Sequence, residues 1–336
     1  MEIRFCEKEE IPQLISFFEK YWSKDHIFVK HPDVLLWQHQ RRDGGLNYLI
    51  GVDKGVIWSI MGLIPLSHFD PDLESEKSAW GALWKTRPDC KLPGIGTLLQ
   101  LYATKQYSYY GGLGLSQDNI NIQKSLKVDV VELNHYYILN PLINEYEIAR
   151  IPYLNTNITC NSKDVNFDLV EIKDFDKLPD IKHAYRPLKT NRFVQNKYCN
   201  NPYYKYTFLG CQSNKMECVL VGKRVKVGNR GALRIVDILG DLGHLKGLGY
   251  ALKTYISQFD DIEYVDLYNH GIDPQYFLQG GFNILRMNDE SIIIPNYFEP
   301  FVRDNCILQG FHVAKNVDNC VFFKADADQD RPNIIL

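Results

Sequence analysis

The sequence predicts an α/β chain of mixed α+β sheets, built as two tandem copies of one order of strands and helices. Three observations predict it. Helical stripes alternate with short apolar strands along all 336 residues. One phrase occurs twice where a strand gives way to a helix: KLPGIGTLL, led by Lys91, and HLKGLGYAL, led by His244. The two phrases stand roughly 150 residues apart, a period that means a duplicated domain and not a solenoid.

The elements follow in order. MEIRFCE alternates like a short strand. KEEIPQLISFFEKYW carries apolar residues at 11, 14, 15, 17, 18 and 22, the stripe of an amphipathic helix. HPDVLLWQHQ reads as a second, shorter helix. LNYLIGVD and GVIWSIMGLIPLSHF read as strands around a tight DKG turn, and SAWGALWKT as the next strand. The first glycine loop and the helix GTLLQLYATKQ come next. GGLGLS is then a buried strand, QDNINIQKSLKV a helix and VELNHYYILN a closing strand. From Pro141 to about Asn166 the periodicity is weak and polar clusters such as NTNIT read as a linker. The expected domains are therefore residues 1–145 and 146–336.

The second copy opens with a strand, FDLVEIKD, and a helix, FDKLPDIKHAY. NRFVQNKYCNNPYYKY is partly helical, and YTFLGCQ, MECVLVGKRVKVG and ALRIVDILGD are strands. The second glycine loop and helix, GHLKGLGYALKTYIS, lead to a strand, IEYVDLYNH, and a helix, DPQYFLQGGF. SIIIPNYF and NCVFFKAD close the chain.

Composition narrows the function. Hydrophobic residues make up 45% and charged residues 24%, the balance of a soluble globular protein. A net charge of −3 supplies no field for nucleic acid or an anionic membrane. No apolar run nears the roughly 18 residues of a membrane span, and an N-terminus charged from its second residue is not a signal peptide. The eight cysteines form no CxxC and no Cys/His cluster with zinc spacing, so the expectation is reduced thiols, no metal and a cytoplasmic protein.

The glycine loop carries the chemistry. Lys91-Leu92-Pro93-Gly94-Ile95-Gly96 has the form basic-x-x-G-x-G at a helix start. Two glycines let backbone N–H groups converge without an intervening Cβ. The helix N-terminus adds unsatisfied donors and a partial positive charge. Residues Leu92 to Thr97 thereby form a nest for a pyrophosphate. No GK[ST] follows, which excludes a Walker loop. Leu99 and Leu252 stand where a dinucleotide fingerprint needs a small residue.

This order, with its basic-x-x-G-x-G loop, resembles the GCN5-related N-acetyltransferase (GNAT) fold, present twice. ALWKTRPD…PGIGTLL, NHYYILN, LRIVDILG and IPNYFEPF are similar to tandem GNAT sugar-nucleotide N-acyltransferases, those of the anthrose pathway among them. The resemblance implies acyl-CoA (coenzyme A as acyl donor) and a nucleotide-linked amino-deoxy sugar such as a dTDP-4-amino-4,6-dideoxyglucose. It implies a splayed fourth strand with backbone donors at Leu83 and Trp84, Trp84 serving the oxyanion. The tyrosine acid common in such enzymes aligns with Gln123, which cannot donate a proton. His135 and Tyr136 on the next strand are substitutes, and transfer of the amine proton to the coenzyme sulfur is another route. The second loop, led by His244, is expected to have lost the coenzyme and to shape the acceptor site.

Acceptor residues follow from placement. Arg234, Val236 and Ile238 share one face of an apolar strand and Asp237 the other, so a charge on each face needs a partner or a cleft. His270 ends the following strand. Tyr297 and Phe298 offer stacking and Glu299 an acceptor for hydroxyls or the amine. Trp37 and His39 could wall a sugar pocket, and Lys189, Arg192 and Lys197 could serve nucleotide phosphates. Two other classes compete: a Fem-type aminoacyl or peptidyl transferase, and a non-catalytic module that responds to acyl-CoA.

Overall fold

The structure, a computed structural model, describes residues 1–152, 162–287, 289–314 and 319–335. Its first half runs β1 (Glu2–Cys6), α1 (Ile11–Tyr21), α2 (Ile27–Lys30), α3 (Pro32–His39), β2 (Leu46–Asp53), β3 (Val56–Pro65) and α4 (Leu66–Phe69). It continues with β4 (Ser78–Thr86), α5 (Ile95–Gln106), β5 (Tyr109–Leu113), α6 (Gln117–Ser125), β6 (Val130–Glu132) and β7 (Asn134–Leu139). The second half runs β8 (Asp168–Glu171), α7 (Asn191–Val194), β9 (Thr207–Gln212), β10 (Met216–Val227), β11 (Arg230–Gly240) and α8 (Leu248–Ile256). Then come β12 (Ile262–His270), α9 (Pro274–Gln279), β13 (Asn283–Ile284), β14 (Tyr297–Phe298), β15 (Phe301–Val302), β16 (Gln309–Ala314) and β17 (Phe322–Phe323).

Local chemistry sets most of these. Pro12 fits the first turn of α1, where no backbone donor is needed. Leu14, Phe17 and Phe18 then recur on one face and are buried. Between β2 and β3 the two turn residues Lys54 and Gly55 both have positive φ, 51° and 75°, the geometry that a two-residue hairpin requires.

Two mixed sheets result. The first has the order β1-β2-β3-β4-β5-β16-β6, the second β13-β7-β12-β11-β10-β9-β8, with β17 against β12. The stretch expected as one closing strand, VELNHYYILN, breaks at Leu133. Leu133 is buried between the sheets, and its N–H bonds the Leu308 carbonyl at 2.9 Å. β6 therefore stays in the first sheet while β7 crosses to the second. β16, which the sequence reading did not identify, crosses the other way to pair β5 and β6. Each sheet is completed by a strand from the other side of residue 145.

Two further expectations are corrected. FDKLPDIKHAY forms only one turn, Phe175–Lys177, because Pro179 removes a donor and holds Leu178 extended at φ −69°, ψ 138°. SIIIPNYF is not one continuous strand: Ile293 makes a single antiparallel bridge to Arg150, and Tyr297 and Phe298 pair with β15. The expected linker is anchored at its start: the amides of Glu147, Ile148 and Ala149 donate to the Glu263 carboxylate at 2.6–3.1 Å. Its residues 153–161, Cys160 among them, lie outside the described residues.

One apolar cluster joins the halves, with Ile64, Trp80 and Leu113 from the first meeting Val219, Val236, Tyr268 and Phe322 from the second. Each such side chain contributes about 1.5–3 kcal/mol on burial, so the sheets share a core. After β17 the chain forms a strap that returns to the first half. Ala325 N–H bonds the Val236 carbonyl (2.9 Å), Asn333 accepts from Ile27 (2.8 Å) and Ile335 donates to Asp25 (2.9 Å). Buried Lys189 bridges Asp237 (2.5 Å) and Asp326 (2.7 Å), pinning the strap to β11. Among the described residues no helix is long and apolar enough to cross a membrane.

Candidate functional site

The site begins where two parallel strands part. β4 and β5 pair at four positions, Ser78↔Tyr109 through Gly81↔Gly112. Beyond Gly81, β4 runs on to Thr86 with β3 as its partner, while β5 keeps company with β16. A bulge between Met61 and Leu63 of β3 lies opposite the point of parting; bulges bend and twist a strand pair in this way. The edge of β4 from Ala82 to Thr86 therefore faces a wedge, with Leu83 and Trp84 on its wall.

The start of α5 closes the outer end of this wedge. Gly94 caps the helix with φ 74°, ψ 4°, a left-handed conformation that glycine adopts without strain. A Cβ there would meet no atom within 4 Å, so the space before the helix is open. A Cβ on Gly96 would lie 3.1 Å from Thr86 Oγ1 and 3.3 Å from the Trp84 ring, so glycine lets the helix start press against β4. The first-turn amides of α5 have no carbonyl to take them within the helix. Leu92, Pro93 and Gly94 form the rim, Ile95 is buried beneath, and Thr97 is half-buried.

The second copy has the same parts in a closed state. β11 and β12 pair in parallel from Gly231↔Ile262 to Ile235↔Leu267. Past that point the gap is filled by the chain itself: β17 pairs Asn269 and His270, and Ala325 bonds Val236. Gly247, at φ 72°, caps α8 as Gly94 caps α5. Here the Tyr250 amide already bonds the Gly280 carbonyl (3.3 Å), and a Cβ on Gly249 would sit 2.7 Å from that oxygen.

From the open wedge a cavity of about 1060 Å³ runs into the second half. There it meets Lys223 of β10, Arg234 of β11, Asn296 to Pro300, Lys324 and the strap. Arg234 is 4% exposed. Its Nε and Nη2 donate to the two oxygens of Asp266 (3.0 and 2.6 Å), and Nη1 donates to the Asn296 carbonyl. Its guanidinium lies 5.2 Å from the centre of the Phe298 ring. His135 Nε2 donates to Asp266 at 2.8 Å, and its ring stacks on Tyr268 at 4.0 Å. Burial pushes the His135 pKa down, against the pull of Asp266. Burial pushes Asp266 up, but Arg234 and His135 outweigh it and hold its pKa near 2.

The structure brings Leu83, Trp84, Gly96, Arg234, Tyr297 and Glu299 to one cavity. Other expected residues lie elsewhere. His135 reaches the cavity only through Asp266 and Arg234, because β12 separates β7 from β11. Tyr136 points from the other face of β7 into the core and packs on Phe277 at 4.4 Å. Trp37 packs on Phe69 at 5.4 Å between the sheets. His39 is fully buried, bonded to the Leu63 carbonyl at 2.9 Å, and burial holds its pKa well below the ordinary value.

The bulge between Val221 and Gly222 leaves Val236 unmatched and shifts the alternation of β11. Asp237 thus turns to Lys189 and to the Tyr198 hydroxyl (2.5 Å), on the side of Val236. Lys189 and Lys197 are core residues, and Arg192 is a surface side chain beside Asp70 and Asp72. His270 stacks on Phe322 at 4.9 Å, off the cavity. Gln123 is buried and accepts from the Gln100 side chain at 3.1 Å, under the wedge.

Sequence reasoning missed Lys223, Asn296, Lys324 and Arg331. A lysine inside the apolar run VLVGKRV was the available signal for the first; the others come to the cavity through the strap and a loop.

No family model and no curated protein matches this chain. Solved structures do. A GCN5-related N-acetyltransferase from Anabaena variabilis aligns over 92% of this chain and 72% of its own, with TM-score 0.53 at 11% identity. A GCN5-related N-acetyltransferase from Sphaerobacter thermophilus aligns over 100% and 97%, with TM-score 0.43 at 11% identity. One from Kribbella flavida aligns over 93% and 70%, with TM-score 0.48 at 8% identity. The first of these likenesses and the parted parallel strands agree: the chain has the GNAT fold.

Proposed function

We propose that this protein is an acyl-CoA-dependent N-acyltransferase whose acceptor is the amino group of a nucleotide-linked amino-deoxy sugar. The observation that carries the reading is the wedge between β4 and β5, open at the glycine cap of α5 and continuous with a cavity into the second half. The parts fit a coenzyme with a diphosphate and an extended amide-bearing arm. The first-turn amides of Gly96 and Thr97 take the diphosphate, while the Ile95 amide turns to the Leu92 carbonyl at 3.5 Å. The unpaired edge of β4 takes the arm as an added strand would be taken.

When bound, the thioester supplies the acyl group: the amine nitrogen bonds to its carbonyl carbon, the C–S bond breaks, and the sulfur leaves as a thiol with the amine's proton. The chain's own residues position and stabilise. Backbone N–H groups near Leu83 and Trp84 are the oxyanion donors in this reading, a contribution of about 3 kcal/mol where one such donor has been removed in other enzymes. Tyr297, 53% exposed at the cavity mouth, is a stacking surface for the acceptor, and Glu299 an acceptor for its hydroxyls or amine. Arg234 is held rigid by Asp266 and Asn296, so it presents one fixed face to the cavity. His135 acts as a positioning residue behind it. Residues 1–145 would then hold mainly the coenzyme and residues 146–336 the acceptor.

The test is a panel of dTDP- and UDP-linked amino sugars incubated with acetyl-CoA, with free thiol followed over time. Thiol release that depends on the amino sugar supports the reading. Absence of any heat on titration with coenzyme A refutes it.

A further inference from the structure

Two lysines in the cavity form no ion pair among the described residues. Lys223 is 6% exposed and Lys324 is 5% exposed. Lys223 Nζ donates to the main-chain carbonyl of Asp330 at 2.9 Å and lies 3.5 Å from the centre of the Tyr204 ring. Lys324 Nζ donates to both oxygens of Asn296 and lies 5.5 Å from the Tyr268 ring. None of these partners carries charge. Buried ammonium groups ordinarily have a carboxylate or a metal-bound anion beside them, because desolvation of an unpaired charge is costly.

The neighbouring charges are engaged elsewhere. Arg234 is matched by Asp266. Arg331 is matched by Asp328 at 2.7 Å, yet its Nη1 has no partner among the described residues although the residue is 9% exposed. Asp330 turns its carboxylate to the Tyr206 hydroxyl at 2.5 Å. Glu299 stands at the exposed rim. Three cationic residues, Lys223, Lys324 and Arg331, therefore line one cavity.

We propose that Lys223 and Lys324, with Arg331 beside them, form an anion subsite that takes a phosphate or diphosphate group at the second-half end of the cleft. Resting on the acyl-transfer reading, the inference makes this group the nucleotide phosphates of the acceptor, the role expected of Lys189, Arg192 and Lys197. Burial supports it from another side. It pushes the Lys223 pKa down to about 8, against Asp330 and Glu299 and with help from Arg234 and Arg331. It pushes the Lys324 pKa down as well, with Arg234 and Lys223 adding to burial and Asp266 and Asp330 opposing it. An arriving anion reverses this, so binding takes up protons.

The experiment titrates the full chain, saturated with coenzyme A, with pyrophosphate and separately with dTDP, at pH 8 in two buffers of different ionisation enthalpy. One site per chain is expected, with net proton uptake. Lys223→Met and Lys324→Met should each weaken that binding at least tenfold while keeping Tm at or above wild type, because an unpaired buried charge is removed. A structural lysine would lower Tm instead.

Coenzyme affinity measured in parallel identifies the source of the phosphate. If both variants bind coenzyme A as wild type does, the site serves the acceptor; if they lose the coenzyme and not dTDP, the inference is overturned. It is also overturned if neither pyrophosphate nor dTDP binds, or if the variants keep full dTDP affinity and lose only kcat. Should dTDP bind as expected and coenzyme A not at all, the anion subsite stands and the acyl-transfer reading fails.

Discussion

Placing a carboxylate in the open glycine nest gives a prediction with a built-in control. Gly94 has φ 74° and is exposed, and a Cβ there meets nothing within 4 Å. Asp and Asn at this position therefore clash with nothing, and both accept the left-handed conformation at about 1 kcal/mol. They are nearly isosteric, so the pair Gly94→Asp and Gly94→Asn differs by one charge. At an effective dielectric near 20, a carboxylate about 4 Å from one phosphate charge costs about 4 kcal/mol. The rim faces solvent, and screening reduces this toward about 2 kcal/mol, or about thirtyfold in Kd.

Calorimetric titration with coenzyme A at low and high salt reads both terms. Gly94→Asn should bind within a few-fold of wild type. Gly94→Asp should bind about thirtyfold more weakly than Gly94→Asn, with a gap that narrows as salt rises. Equal affinities for the two variants, or a gap indifferent to salt, would refute the nest.

Three further outcomes follow from geometry. Gly249→Ala puts a Cβ 2.7 Å from the Gly280 oxygen and 2.9 Å from the Gly281 carbonyl carbon, so denaturant unfolding should show a loss of about 1–3 kcal/mol with coenzyme stoichiometry unchanged at one per chain. Arg234→Met leaves Asp266 without its strongest partner and should cost about 3–5 kcal/mol near neutral pH. Because the folded Asp266 pKa lies near 2, below the usual carboxylate value, its contribution is present above about pH 4 and lost as pH falls toward 2. The deficit of Arg234→Met, followed by unfolding across that window, should shrink as pH falls. For Lys223 the folded pKa of about 8 lies below that of an unfolded lysine. The unfolded chain thus binds more protons between about pH 8 and 10.5, and stability should rise with pH there by about 3 kcal/mol. Lys223→Met should lack that rise and be more stable than wild type below pH 8.

Much of the fold was legible because it is written locally. SAWGALWKT is β4 to the residue, and the hairpin at Lys54-Gly55, the helices α1 and α5 and the glycine caps all stand where periodicity and turn chemistry put them. Legibility failed where a strand changed partners. Nothing within VELNHYYILN marks Leu133 as the place to leave one sheet for another, since both halves of the segment favour extended backbone. The same failure displaced His135 and Tyr136 from the expected catalytic position to the second sheet. Trp37, His39 and Lys189 were misplaced for a related cause: a polar or aromatic residue in an apolar run reads alike whether a core network or a cavity receives it.

By itself the sequence determined that a strand, a glycine nest and a helix occur in succession, twice, because each of those needs only near neighbours. It could not determine which nest is open. That was decided when Phe322 to Ala325 filled the gap between β11 and β12, and Gly280 took the Tyr250 amide, while among the described residues no strand pairs into the gap between β4 and β5. The convergence of Lys223 with Lys324 was decided the same way. Residues distant in the chain meet only when the strap returns across both sheets, and no local pattern encodes that meeting.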